Sequence, residues 1–346
     1  MAEAVSAPLP AGPKTEIPSV DWWTTSHCNL ACDFCYGPRP AKDPVEQRDD
    51  ILEALAASSA RAVTFCGGEP LLLRRIGEYA ATLQQYGKYT VLNTNGELLR
   101  RRLDQGLRLA DFALIGISVE GSTPEVHRAM RGSNANFDEV MDAARLVAKE
   151  PGVSLKLATV VSRVNRDNLP DLARTVRDDL APDVWRLYQY SSRGDQNTGQ
   201  QRHSLPDDEF RRLVEEAAAL AAPVPTAPSA EAETEGCLIV DPAGNVLQPA
   251  GAGYARLGNC LTEPLDRVWA RVPARSAIIN NKRWLSVLSQ LACGGGRRSG
   301  VRAAWPLAWS RDLVRASAAA VARPRCAAGN SAPPGGAAAP GPARRV

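Results

Sequence analysis

Apolar residues along this 346-residue chain follow two rhythms. Short, nearly continuous runs appear at Ala62-Val63-Thr64-Phe65, 90–94, 114–119, 155–161 and 184–189. Their length and their Val, Ile and Thr content predict buried strands. Between them, apolar residues recur at helical spacing: Ile51, Leu52, Leu55 and Ala56 in 47–59, Val140, Met141, Ala144 and Leu146 in 137–149, and Leu172, Ala173 and Val176 in 169–180. Strand-then-helix units in series predict a parallel sheet covered by helices and joined by right-handed crossovers. About six such units fit between residues 20 and 205, fewer than a closed eight-unit barrel needs. The expected fold is α/β, an open partial (β/α)6 TIM-like barrel with a small extension.

The extension spans 206–270. Its first part, 207–222, reads as an amphipathic helix, and 222–235 as a linker rich in Ala, Pro and Glu. Two short strands around Asp241-Pro242-Ala243-Gly244-Asn245 predict a β-hairpin. Residues 1–19 read as a flexible tail. Pro8, Pro10, Pro13 and Pro18 interrupt it and no apolar stretch resembles a secretory signal. Residues 271–346 break from the rest. They hold 13 Lys or Arg and one acid, Asp312, whereas the whole chain has 41 Lys or Arg against 38 Asp or Glu. This basic, low-complexity stretch reads as a disordered tail or as a shifted reading frame, with the second preferred. No run is long enough to span a membrane, and no pattern interleaves aromatic with basic residues as nucleic-acid binding would need. Neither is expected as a partner.

The chemistry concentrates in His27-Cys28-Asn29-Leu30-Ala31-Cys32-Asp33-Phe34-Cys35-Tyr36. The C-x3-C-x2-C spacing offers three thiolates on one loop. An iron–sulfur cubane held this way keeps one iron without a protein ligand. A zinc knuckle needs four closing ligands, and His27 is badly placed beside Cys28 to be one. A disulfide framework suits short secreted chains. The second motif, Cys66-Gly67-Gly68-Glu69-Pro70, ends the strand run at Phe65. Its glycines let backbone approach a neighbour closely, and Glu69 places a carboxylate suited to an ammonium group at the strand's end.

Together these motifs resemble the radical S-adenosylmethionine (radical SAM) enzymes over about residues 21–189, and more weakly to 269. The resemblance implies that Cys28, Cys32 and Cys35 hold a [4Fe–4S] cluster whose open iron binds S-adenosylmethionine. It implies that Phe34 lies beside the cofactor and that Glu69, on the Gly67-Gly68 turn, meets the methionyl ammonium. Asn95, Ser118 and Glu120 follow as cofactor or substrate residues. Arg186, Tyr188 and Gln189 follow as pocket residues. The extension resembles a degenerate SPASM or Twitch module, but no cysteine stands near Gln248-Pro249. An intact auxiliary cluster is therefore not expected from Cys237, Cys260 and Cys293. Cys237 has three readings, in order: a core thiol, a hydrogen-atom donor to a substrate radical, or a ligand of a partial cluster.

The activity implied is formation of a 5′-deoxyadenosyl radical that abstracts a substrate hydrogen atom. A flavodoxin or ferredoxin would supply the electron in a reducing cytoplasm. The expected subclass is a tailoring enzyme of secondary metabolism, such as an epimerase acting on a sugar or antibiotic. Modification of a ribosomally made peptide and a viperin-like nucleotide dehydratase are the alternatives. A structural or redox metal protein is the alternative outside enzymes.

Overall fold

The computed structural model describes residues 16–38, 41–194, 197, 200–229 and 238–272. Their strands are β1 (Ser19–Thr25), β2 (Ala62–Gly67), β3 (Tyr89–Thr94), β4 (Leu114–Ser118), β5 (Ser154–Val161), β6 (Val184–Gln189), β7 (Thr226–Ser229), β8 (Ile239–Val240), β9 (Asn245–Ala250) and β10 (Gly253–Asn259). Their helices are α1 (Arg48–Ala57), α2 (Ile76–Gln85), α3 (Leu99–Asp104), α4 (Pro124–Arg131), α5 (Phe137–Lys149), α6 (Leu169–Thr175), α7 (Gln200–His203), α8 (Asp207–Ala221) and α9 (Leu265–Ala270).

One sheet holds all ten strands, in the order β10-β9-β8-β1-β2-β3-β4-β5-β6-β7. From β1 to β7 every neighbour is parallel. β8 adds in parallel to the outer side of β1, and β9 and β10 follow antiparallel. This is the α/β, TIM-like open arrangement that the strand and helix runs predict. The apolar residues of each strand alternate between faces. Val63, Phe65, Leu92, Ile115, Ile117, Leu155, Leu157, Trp185 and Leu187 face the helices and join one core with Ile51, Leu55, Leu83, Val140 and Leu172. The intervening positions line the inner face.

The helix expected over 169–180 is regular only to Thr175. It continues as a wider π turn over Val176–Leu180, which ends where Ala181 takes a left-handed φ of 38°. The stretch expected as a linker contains a strand. Thr226–Ser229 pairs with β6, and Pro228 is tolerated because β7 lies at the sheet edge, where a missing N–H breaks no second ladder. The predicted hairpin is present, with Ile239 opposite Leu247 and Val240 opposite Val246. Asp241 shapes its turn by accepting from the N–H groups of Ala243 and Asn245, both at 2.9 Å. Among the described residues no helix is long and apolar enough to cross a membrane. Cys237, Cys293 and the basic stretch from 273 onward lie outside the described residues.

Candidate active site

The cysteine loop leaves the C-terminal end of β1, where parallel barrels concentrate their chemistry. Asp43 fixes its entry. One carboxylate oxygen accepts from the Thr25 hydroxyl at 2.5 Å, the other from the Ser26 hydroxyl at 2.7 Å, and Arg48 pairs with the group at 3.2 Å. Burial pushes the Asp43 carboxyl up, but these hydroxyls and the Ser26 N–H hold it below the usual carboxylate range.

Within the loop, the Cys35 N–H bonds the Cys32 carbonyl at 3.2 Å and closes a turn between the two residues. The Cys28 sulfur accepts from Leu30 N–H at 3.4 Å, and the Cys35 sulfur from Gly37 N–H at 3.3 Å. The Cys32 thiol donates to the carbonyl of Arg131 at 3.5 Å. Burial raises all three thiols, Cys28 to about 11. Among the described residues, no three His, Cys, Asp or Glu side chains are gathered tightly enough for one metal ion. Three thiols are one ligand short of a closed zinc knuckle and suit a cluster that keeps one iron open.

Gly67 and Gly68 are needed for a reason the motif alone does not reveal. A Cβ on Gly68 would collide with the carbonyl of His27, and one on Gly67, whose φ is 121°, would lie 2.5 Å from the carbonyl of Thr25. The Gly68 and Glu69 N–H groups bond Thr25 and His27 carbonyls, each at 2.8 Å. The glycines therefore seat the turn directly against the cysteine loop.

Glu69 is 1% exposed. Its carboxylate accepts from Leu71 N–H at 2.9 Å, from the Thr94 hydroxyl at 2.8 Å and from Asn95 N–H at 2.9 Å. Burial still pushes its carboxyl above the ordinary value, against the pull of these donors and of Arg131. A buried carboxylate in that state is stabilised by an arriving cation such as an ammonium. The Asn95 amide donates to Asn29 Oδ1 at 2.8 Å, and Asn29 donates to Glu97 at 2.8 Å. Asn95 thus tethers the cysteine loop to β3. Ser118 ends β4 half-buried, and its hydroxyl makes no hydrogen bond among the described residues.

Glu120, expected as a cofactor residue, has both oxygens engaged. Oε1 pairs with Arg131 at 2.5 Å and Oε2 accepts from Val160 N–H at 2.8 Å. Arg131 is one residue that sequence reasoning missed. Helix α4 delivers it: Thr123 caps the start by accepting from Val126 N–H, Pro124 follows, and Arg131 is the last helical residue. A cation there suits the negative end of the helix. Its guanidinium carbon lies 5.5 Å from the centroid of the Phe34 ring. Burial opposes its charge, but Glu120 and the neighbouring sulfurs outweigh that and raise its pKa.

The inner face continues below Ser118. Strand register puts Asn93, Gly116, Lys156 and Val184 at one level, and Ser118, Ala158 and Arg186 at the next. Lys156 and Arg186 are buried, and Lys156 donates to Asn93 Oδ1 at 2.8 Å. Gly116 makes room: a Cβ would lie 2.6 Å from Lys156 Cε. Arg186 lies over the Tyr188 ring at 5.3 Å, so these two expected pocket residues share the inner face. Gln189 points elsewhere and donates to Asp207 at 2.7 Å. Cys260 is buried in the core, with its thiol raised to about 12 by burial. A cavity of about 350 Å³ opens beside the cysteine loop, between Gly37, Pro38, Lys42 and Pro44 on one side and the β8–β9 hairpin on the other.

Residues 24–176 match the family model of the radical SAM superfamily. This segment is a radical SAM domain. Members of the family use a [4Fe–4S] cluster and S-adenosylmethionine, and the three loop thiols and Glu69 fit those two groups. The chain is 27% identical over 260 residues to an S-adenosylmethionine-dependent nucleotide dehydratase of Lacinutrix mariniflava, covering 69% of this chain and 52% of the relative. It is 26% identical over 210 residues to the Fe-coproporphyrin III synthase of Methanosarcina barkeri, covering 58% and 51%. The chain thus spans about half the length of these curated relatives. Streptococcus suis SuiB, solved with its precursor peptide SuiA, superposes with a TM-score of 0.61 at 14% identity over 79% of this chain and 71% of SuiB. That likeness shows a shared fold.

Proposed function

We propose that this chain is a radical SAM enzyme whose substrate is a phosphorylated small molecule, with a nucleotide as the first choice. In this reading Cys28, Cys32 and Cys35 hold the cluster. Glu69 receives the methionyl ammonium, and Phe34, Asn95, Ser118 and the Gly67-Gly68 turn shape the cofactor's place. Glu120 acts through Arg131, which it holds beside Phe34. The cluster and S-adenosylmethionine supply hydrogen-atom abstraction from an unactivated C–H bond. The chain binds, orients and keeps water away. A flavodoxin or ferredoxin in the cytoplasm is the electron donor of this reading.

The observation that carries the substrate class is the pair of buried cations on the inner face, Lys156 and Arg186, one level apart on adjacent strands. Two positive side chains on that face make its local field favourable to an anionic ligand. Lysine and arginine are common phosphate binders. Such a clamp would hold a phosphorylated substrate below Ser118 and present its sugar toward the cofactor. The nucleotide dehydratase aligns over a larger share of this chain than the porphyrin enzyme does, which supports the same class. The epimerase reading depends on Cys237, which lies outside the described residues. A peptide substrate offers that positive face no fixed negative charge of its own.

The test is anaerobic reconstitution of the full chain, reduction with dithionite, and measurement of 5′-deoxyadenosine released from S-adenosylmethionine. A panel of nucleoside triphosphates should stimulate release where the matching nucleosides do not. Equal stimulation by nucleosides, or stimulation only by peptides, would reject the substrate class. Zinc bound at the three cysteines without any 5′-deoxyadenosine would favour the non-enzymatic reading.

A further inference from the structure

One fully buried titratable group has no part in the site described so far. His203, at the end of α7, is 0% exposed. Its Nε2 lies 2.8 Å from Asp33 Oδ1, and its Nδ1 lies 3.2 Å from the Ser162 hydroxyl. Asp33 sits between Cys32 and Phe34. Its other oxygen, Oδ2, is bonded by Arg202 at 3.0 Å. Arg202 also reaches the carbonyl of Ala129 at 2.5 Å, on α4. The His203 ring meets Phe34 edge-on at 5.6 Å and lies against Tyr190 at 5.3 Å.

Serine, histidine and aspartate in a row invite a hydrolytic reading, but the geometry rejects it. Ser162 is 0% exposed. Its oxygen already accepts from Val164 N–H at 3.1 Å and faces the Met130 sulfur at 3.3 Å. No substrate carbonyl can reach it, and a nucleophile must be reached before it can attack.

We propose that Arg202 and His203 are positioning residues for the cluster loop. Two neighbouring residues of α7 grip both oxygens of one carboxylate that lies inside the C-x2-C turn. Charge-assisted bonds of this kind are short and directional. They fix the turn that the Cys35 N–H to Cys32 carbonyl bond begins. They also fix Phe34, whose ring meets His203 at 5.6 Å and the Arg131 guanidinium at 5.5 Å. A loop held at Asp33 presents Cys32 and Cys35 at one spacing and keeps Phe34 turned to the cofactor side. Without the grip, the loop would sample several spacings. The inference rests on the cluster-binding reading of the three cysteines and assigns no catalytic step to either residue.

The test compares anaerobically reconstituted wild type with His203→Ala, His203→Gln and Arg202→Gln. Readouts are bound iron, the electron paramagnetic resonance spectrum of the reduced cluster with and without S-adenosylmethionine, the dissociation constant for that cofactor, and melting before reconstitution. Arg202 is half exposed (side chain 51%), so Arg202→Gln should melt like wild type. It should nevertheless show an altered cofactor-bound spectrum. His203→Ala should show the same alteration and bind the cofactor about tenfold more weakly, the scale of one charge-assisted bond. His203→Gln, which keeps a donor toward Asp33, should recover most of both. Wild-type spectra and affinity in both Arg202→Gln and His203→Ala would overturn the proposal. So would a loss of melting temperature shared by His203→Ala and His203→Gln with the spectrum of the folded fraction unchanged. A wild type that loads no iron rejects the cluster reading and the clamp with it, and is told apart from these outcomes by that fact alone.

Discussion

The Glu69 carboxylate accepts the Thr94 hydroxyl at 2.8 Å, so the end of β2 and the end of β3 hold one buried negative group between them. Burial raises the Glu69 carboxyl above its ordinary 4.5. The folded chain therefore binds this proton more tightly than the unfolded chain does, and the group's stabilising contribution is present below pH 4.5 and lost as pH rises through the folded value. Glu69→Gln removes this titration, so the stability of the cofactor-free protein should fall less than that of wild type as pH rises from 4.5. The substitution should also weaken S-adenosylmethionine binding. Melting curves across pH, with titration calorimetry for the cofactor, measure both. A glutamine variant with the same pH dependence of stability as wild type and unaffected cofactor binding would contradict the assignment.

Glu120→Ala should be among the more damaging single changes. It strands the half-buried Arg131 guanidinium and leaves Val160 N–H without the buried carboxylate it bonds. Removing one partner of a buried pair typically destabilises by about 3–5 kcal/mol. Urea unfolding monitored by circular dichroism reads this directly. A loss below about 1 kcal/mol would mean that the pair behaves like an exposed one.

Gly68→Ala puts a methyl group into the His27 carbonyl. Because the obstacle is backbone, the cysteine loop must move as a whole, at about 1–3 kcal/mol. Bound iron after reconstitution should fall, and the protein should remain folded. Full iron content in a folded Gly68→Ala protein would show that the loop has room the structure does not give it.

Lys156→Met and Arg186→Met keep much of the side-chain volume and remove the charge. Each should raise KM for a phosphorylated substrate about tenfold or more, the scale of a charge-assisted bond. S-adenosylmethionine binding should change little. An unchanged KM in both variants would remove the cation pair from substrate recognition.

Much of this molecule is legible in its patterning. The helix at Asp207–Ala221 is announced by Phe210, Leu213, Val214 and Ala217 at helical spacing and by acids in its first turn. The strands β2 to β6 are short apolar runs, and local rules find them. The strand β7 escapes because Thr226-Ala227-Pro228-Ser229 sits in an Ala- and Pro-rich stretch, and only an edge position lets Pro228 stay. In the site, the cysteines and Glu69 are found by spacing. Arg131, Thr94 and His203 are not, because each reaches its partner across a long stretch of chain. Arg131 meets Cys32 from 99 residues away, and His203 meets Asp33 from 170. No local pattern encodes such a meeting. Glu120 shows the reverse case: its polar position near a strand end marks it, but only the geometry reveals that its partner is Arg131.

The pairing of β8 with β1 has a practical consequence. Asp21 and Trp22 lie opposite Ile239 and Val240, and Trp23 packs with Ile239 and Tyr254. A fragment that keeps β1 but stops before β8 would bare the outer backbone of β1 and an indole beside it, an unprotected border that recruits strands from other molecules. Such a fragment should precipitate, and a soluble minimal domain has to retain the residues through β10.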